Sequence, residues 1–219
     1  MNHIHYSVNG RRPQLFSVTI MPRITAERMR DRRDSIVNAA RKVFSEKGYD
    51  AASISEIARA AGASDGLLYR YFDGKRDLLF AALDDFYGEA LREAERAIKD
   101  AKGFEGKLTS LIESHIGIFA DDAGMCRLFI SEVRNLDEYV GSNFQALNKR
   151  YTKLLSSVLD LGVAEGILSA NADRRVIRDM IFGGIEHIAW RHISAGQRID
   201  AQALSKQVAA IILKGITAL

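Results

Sequence analysis

Cysteine and proline are nearly missing from this chain, which holds one of the former, Cys126, and two of the latter, Pro13 and Pro22, in 219 residues. A lone thiol excludes an internal disulfide and any multi-cysteine zinc site, and it suits a reducing compartment. Both prolines lie near the start, so the long remainder contains no obligatory helix breaker, and an all-α fold is expected. No apolar run approaches the roughly 18 residues that would cross a bilayer. The stretch "LFSVTIM" is too short and wrongly flanked for a signal peptide. A cytoplasmic protein without a membrane partner is therefore expected. There is also no Gly-rich phosphate loop, no metal-ligand spacing and no acid pair set among reactive groups. No catalytic residue, cofactor or metal is expected.

A strong excess of one charge is absent too. The chain has 31 Lys+Arg against 28 Asp+Glu, for a net charge of +3. The balance is uneven along the sequence: 14 against 9 through residue 80 and 17 against 19 beyond it. A mild basic excess at the N-terminal end suits a polyanionic partner, and equally an ordinary solvated surface.

What the chain does have is helical periodicity. Residues 1–22 lack it, hold both prolines and precede "MPRITAERMRDRR", which reads like a natural start; they are expected to be a disordered extension. Over 27–47 the residues Ile36, Ala40, Val43 and Phe44 recur at helical spacing, and Gly48 stands where a left-handed cap would fall. "SISE" from Ser53 is a capping box that opens a second helix carrying Ile57, Ala58 and Ala61. Ser64 caps a third, short helix with Leu68 and Phe72 buried. A fourth begins near Lys75 and runs to about 101 with Leu79, Leu83, Phe86 and Ala90 in its stripe. Five more follow, at about 104–120, 124–136, 139–165, 173–194 and from Asp200 to the end.

The segment Gly62-Ala63-Ser64-Asp65-Gly66 admits two readings. It matches G-x-S-x-G, the turn that presents a nucleophilic serine in many hydrolases, which would make Ser64 catalytic. That turn needs a buried strand before it, whereas "SISEIARAA" is capped, alanine-rich and helical in period. The other reading is a helix-turn-helix: a capped helix, a short turn at Gly62 and a second capped helix. Ala58 and Ala61 are small enough for a close crossing, and Gly62 can take the turn's unusual angles.

Residues 35–79, "SIVNAARKVFSEKGYDAASISEIARAAGASDGLLYRYFDGKRDLL", closely resemble the DNA-binding domain of TetR/AcrR-family transcriptional regulators. The elements occur together and in order: "AA..VF...GY", "S.SEIA..AG.S.G" and "LYRYF..K..LL". The resemblance implies a helix-turn-helix domain over 23–74, and an effector-binding and dimerisation bundle over 75–219 in an all-α chain of about nine helices. It implies phosphate contacts from Ser53, Tyr69, Tyr71 and Lys75, with Ser64, Asp65, Gly66, Leu67 and Arg70 in or near the major groove of operator DNA. Arg70 is the candidate for reading a guanine edge, and Leu67 for a thymine methyl. Each has a plainer alternative: Tyr69 and Tyr71 as core packing, Arg70 as a solvated side chain, Lys75 as a polar first-turn residue. Arginines 28, 30, 32 and 33 form either a minor-groove arm or a solvated helix start.

Beyond residue 80, polar residues interrupt apolar faces in a way that suggests a cavity with a few orienting hydrogen bonds. This pattern makes Leu111, His115, Phe119, Phe129, Glu132, Glu186 and Trp190 candidate effector residues. "VIRDMIFGGIEHIAW" is apolar on more than one side, and Gly183 and Gly184 allow close approach, so this helix and the last are expected to form a four-helix homodimer interface. Here the chain is similar to fatty-acid-metabolism members of the FadR type. That implies a repressor released by long-chain acyl-CoA, with Tyr151, Leu155 and Phe182 as effector residues as well; a drug-responsive regulator of efflux genes and a DNA-organising protein without an effector are the alternatives.

Overall fold

The computed structural model describes residues 26–133 and 140–217, apart from the side chains of Glu132 and Thr217. The extension 1–22 and the end of the sixth expected helix lie outside them. Among the described residues there are nine α-helices and no strand. They are α1 (Ala26–Ala51), α2 (Ile54–Ala60), α3 (Asp65–Leu68), α4 (Lys75–Asp100), α5 (Gly103–Asp121), α6 (Ala123–Leu128), α7 (Asn143–Ala164), α8 (Arg174–Ser194) and α9 (Ala201–Thr217). A π-helical turn over Phe129–Val133 continues α6.

Most of the helix starts expected from the sequence coincide with caps. The Ser53 hydroxyl accepts from the Glu56 amide while the Glu56 carboxylate accepts from the Ser53 amide. Ser64 accepts from Leu67 at the start of α3, and Asp173 from Arg175 and Val176 at the start of α8. The chain kinks at Gly48 rather than ending α1 there; its φ of 78° is one that side-chain-bearing residues avoid. The seventh helix starts later than its apolar pattern suggests, because Ser142 caps it by accepting from Gln145.

The buried stripe of α1, made of Ile36, Val37, Ala40, Val43 and Phe44, meets Ile57 and Ala58 of α2 and Leu68 and Phe72 around α3 in one continuous core. Side chains of this size contribute roughly 1.5–3 kcal/mol each when fully buried. The core continues into α4, which packs against α1, α5 and α7. α5 lies at the centre of the C-terminal bundle, touching α4, α7, α8 and α9. No helix among the described residues is long and apolar enough to cross a membrane.

Candidate DNA-reading surface and effector cavity

The reading surface is built by local bonds. α2 runs into Ala61 and Gly62, whose φ of 59° turns the chain, and Ala63 donates back to the Ala58 carbonyl at 2.8 Å. Arg32 on α1 holds this turn from outside, donating to the carbonyls of Ala61 (3.3 Å) and Gly62 (2.6 Å). Ser55 donates to the Asp65 carboxylate, tying α2 to α3. The Lys47 ammonium bonds Glu56 at 2.5 Å, and that bond, with those from Ser53, holds the Glu56 carboxyl below its ordinary range. A helix therefore precedes Gly62 and the Ser64 hydroxyl is a cap, so the strand that a nucleophile elbow requires is replaced by α2.

α3 then presents Ser64, Asp65 and Gly66 as exposed residues, with Leu67 half-buried beside them. Arg70 is exposed without an ion pair or hydrogen bond from its side chain among the described residues, and the Tyr69 ring is 59% exposed. A ring this open is not core packing. Tyr71 is half-buried against the core, and Ser53 is exposed at the head of α2.

Two of the cationic groups also make bonds within the chain. Lys75, the candidate for a phosphate contact, directs its ammonium at three carbonyls, those of Tyr49 (2.7 Å), Asp50 (3.3 Å) and Ala52 (3.0 Å), and stands 4.3 Å from the centre of the Tyr49 ring. An ammonium has three donors, and all three are engaged in fixing the end of α1 to the start of α4. Within the arginine cluster, Arg32 holds the turn and Arg33 stacks over Phe72 at 5.3 Å.

The C-terminal bundle encloses a cavity of about 380 Å³, within the size range of small-molecule sites. His115, Phe119, Phe129, Tyr151, Phe182 and Glu186 line it, as expected from the sequence. Leu111 and Leu155 do not: at 1% and 0% exposure they are sealed in the core, one helical turn behind His115 and Tyr151. Trp190 does not either. It lines an adjoining, shallower pocket of about 290 Å³ that shares Ile130, Gly183 and Glu186 with the main cavity. The Glu132 side chain lies outside the described residues.

Sequence reasoning missed the wall contributed by α4, Phe86 and Tyr87, and the polar pair Asn148 and Thr152 on α7. The latter pair left a signal, being polar residues one turn apart flanking Tyr151 on an otherwise apolar helix. The π-helical turn left none, yet it aims Phe129 and Ile130 at the cavity; such turns recur at functional sites. Burial pushes the His115 imidazole down to about 3, and pushes the Tyr151 phenol and Cys126 thiol up, so all three are neutral around pH 7.

Cavity and reading surface meet at a junction around Arg41 of α1. Its guanidinium bonds Asp122, the cap of α6, at 3.0 Å and Glu89 of α4 at 2.7 Å, and lies 5.0 Å over the ring of Phe86, a wall of the cavity. Burial opposes the charge, but the bonds to Glu89 and Asp122 outweigh it and leave the Arg41 pKa raised. Asp122 also accepts from Ser45 of α1 at 2.6 Å. α6 approaches α1 so closely that a Cβ on Gly124 would lie 2.2 Å from the Ser45 carbonyl oxygen.

A helix-turn-helix with an exposed second helix, joined to a helical bundle around an apolar cavity, defines the class of ligand-responsive DNA-binding regulators. Within it, residues 36–82 match the model of bacterial regulatory proteins of the tetR family, and residues 83–215 the C-terminal region of YsiA-like proteins. The chain belongs to the TetR family of transcriptional regulators. It is 30% identical over 181 residues to the fatty acid metabolism regulator protein of Bacillus subtilis, covering 83% of this chain and 93% of that one. The solved FadR of B. subtilis in complex with stearoyl-CoA superposes with a TM-score of 0.74 at 30% identity, covering 84% of this chain and 98% of the other. The repressor KstR2 of Mycolicibacterium smegmatis is 26% identical over 190 residues, 85% of this chain and 91% of its own length.

Proposed function

We propose that the protein is a homodimeric repressor that binds a palindromic operator and leaves it when a small, largely apolar effector, of the long-chain acyl-CoA class, enters the C-terminal cavity. The observation that carries the reading is the position of Phe86, which lines the cavity and also supports Arg41. An effector that displaces this wall shifts α4 and α6 against α1, and so the spacing of two reading heads. It acts only through its different affinity for the two arrangements. The acyl-CoA class is supported by likeness to the stearoyl-CoA-bound regulator.

Residues 23–74 are the DNA-reading unit and 75–219 the effector and dimer unit. Arg70 is the base-reading side chain, Ser64, Asp65, Gly66 and Leu67 lie along the groove, and Ser53, Tyr69 and Tyr71 meet phosphates. Lys75 positions the start of α4 instead. Dimerisation is supported by the outer face of α8, where Val176 and Met180 are 54% and 66% exposed, and by Ile211 of α9 at 70%. Gly183 and Gly184 leave open space on the same helix. One short reading helix gains little specific contact energy, and two half-sites supply enough.

Titrating acyl-CoA esters of graded length into an operator complex, at stated salt, tests the reading. Release by a long-chain ester at low concentration is expected. Release by no CoA ester removes the acyl-CoA assignment, and release by aromatic drug-like compounds alone moves the protein to the efflux class of regulators.

A further inference from the structure

The polar groups of the cavity include one pair set among aromatic rings. His115 stands edge-on to Phe119 with ring centroids 5.4 Å apart, and 4.5 Å from the Phe182 ring. Its Nδ1 lies 3.2 Å from the Tyr151 hydroxyl. Burial keeps the Tyr151 phenol protonated, so its O–H can donate to Nδ1. An imidazole that accepts at Nδ1 and is neutral carries its proton on Nε2. Nε2 has no partner among the described residues, and the ring lines the cavity.

Nε2 opens to an apolar cavity, where a ligand oxygen that accepts from it adds a hydrogen bond with a net contribution of about 0.5–1.5 kcal/mol. A carboxylate is a poor match, because neither His115 nor Tyr151 carries a balancing charge and the nearby Arg178 is paired with Asp179 at 2.7 Å. Resting on the effector reading above, the geometry points to His115, oriented by Tyr151, as the donor that selects effectors with one uncharged oxygen in an otherwise apolar body. Two sources supply such an oxygen: the thioester carbonyl of any acyl-CoA, or a hydroxyl or keto group on the chain. Sites built around a hydrogen bond discriminate strongly against ligands that lack the partner atom.

The test uses the full chain and matched probes. Palmitoyl-CoA, its β-hydroxy counterpart and the S-hexadecyl thioether of CoA, which lacks the carbonyl, are titrated together with a CoA-free pair, a long-chain methyl ketone and the alkane of equal length. Binding is compared in wild type, His115→Phe, His115→Gln and Tyr151→Phe, with operator binding as the check on folding. Wild type is expected to favour an oxygenated member over its matched partner by about tenfold or more, corresponding to roughly 1.4 kcal/mol. Ester over thioether identifies the carbonyl as the oxygen; β-hydroxy over plain ester identifies a chain oxygen. His115→Phe should abolish the preference, His115→Gln retain part of it, and Tyr151→Phe weaken it. Should His115→Phe fail to bind operator, the contrast between the Gln and Tyr151→Phe variants decides.

Equal affinity across each pair in wild type, or a preference that survives His115→Phe, overturns the donor role even while CoA compounds still release operator. A ketone preference erased by His115→Phe, with no CoA compound bound, upholds the donor role and overturns the acyl-CoA assignment. Binding of neither series overturns both.

Discussion

In α2 and α3 each start is closed by groups three residues apart in sequence, Ser53 with Glu56 and Ser64 with Leu67, whereas the cavity draws its wall from five helices, α4 to α8. The first arrangement is decided almost entirely by local chemistry. The second depends on which faces of distant helices meet, so its lining can change without altering any helix. A reading head specified locally can thus be joined to many differently lined cavities, and the Arg41 junction is where the two kinds of specification are forced to agree.

That contrast is most directly broken at Gly124, a remote contact as exacting as any cap. Gly124→Val places carbon against the Ser45 backbone, and should lower stability by about 3 kcal/mol, the upper end of overpacking effects. Urea unfolding measures it, with Gly117→Ala, a substitution into open space in α5, as the helix-stabilising control. Next in size, Arg70→Ala should weaken operator binding by about 1–3 kcal/mol, roughly five- to 160-fold, and leave effector affinity alone. Unchanged operator affinity would remove Arg70 from the reading role.

Smaller effects sharpen the comparison. Ser53→Ala should remove about 1 kcal/mol, with faster hydrogen exchange confined to α2 and its neighbours and the cavity untouched; exchange spreading into α5 would contradict local specification. The smallest effect is at His115. It is neutral in the fold, its pKa held near 3 by burial, and ionises near its ordinary value once unfolded. Between the two values the unfolded chain binds more protons, so stability falls as pH drops through that window and is unaffected above it. At about pH 6 the loss is below roughly 1 kcal/mol, and His115→Phe should flatten this limb in melts run against pH.

The same contrast explains what could be read from the sequence. The two serine caps, the turn at Gly62 and the stripe from Ile36 to Phe44 were legible because helical period and capping act within a turn or two. Six of the ten expected cavity residues line the main cavity for a related reason: a polar residue on an apolar stripe marks the face that meets a ligand or a partner. Leu111 and Leu155 failed because neighbours on one stripe differ in depth by a turn, which the relative translation of helices decides. Phe86 and Tyr87 were missed because Phe86 fits the core stripe of α4 and Tyr87 sits just outside it. The bonds of Lys75 to the end of α1 left no signal because its partners are carbonyls, and every residue has one.

One ring has a particular consequence for how such a protein changes over generations. Because Phe86 borders the cavity and also sits beneath the cation that fastens α1, a replacement there that reshapes the cavity also resets how firmly the reading head is held. Cavity shape and the hold on the reading head are therefore inherited together at this position.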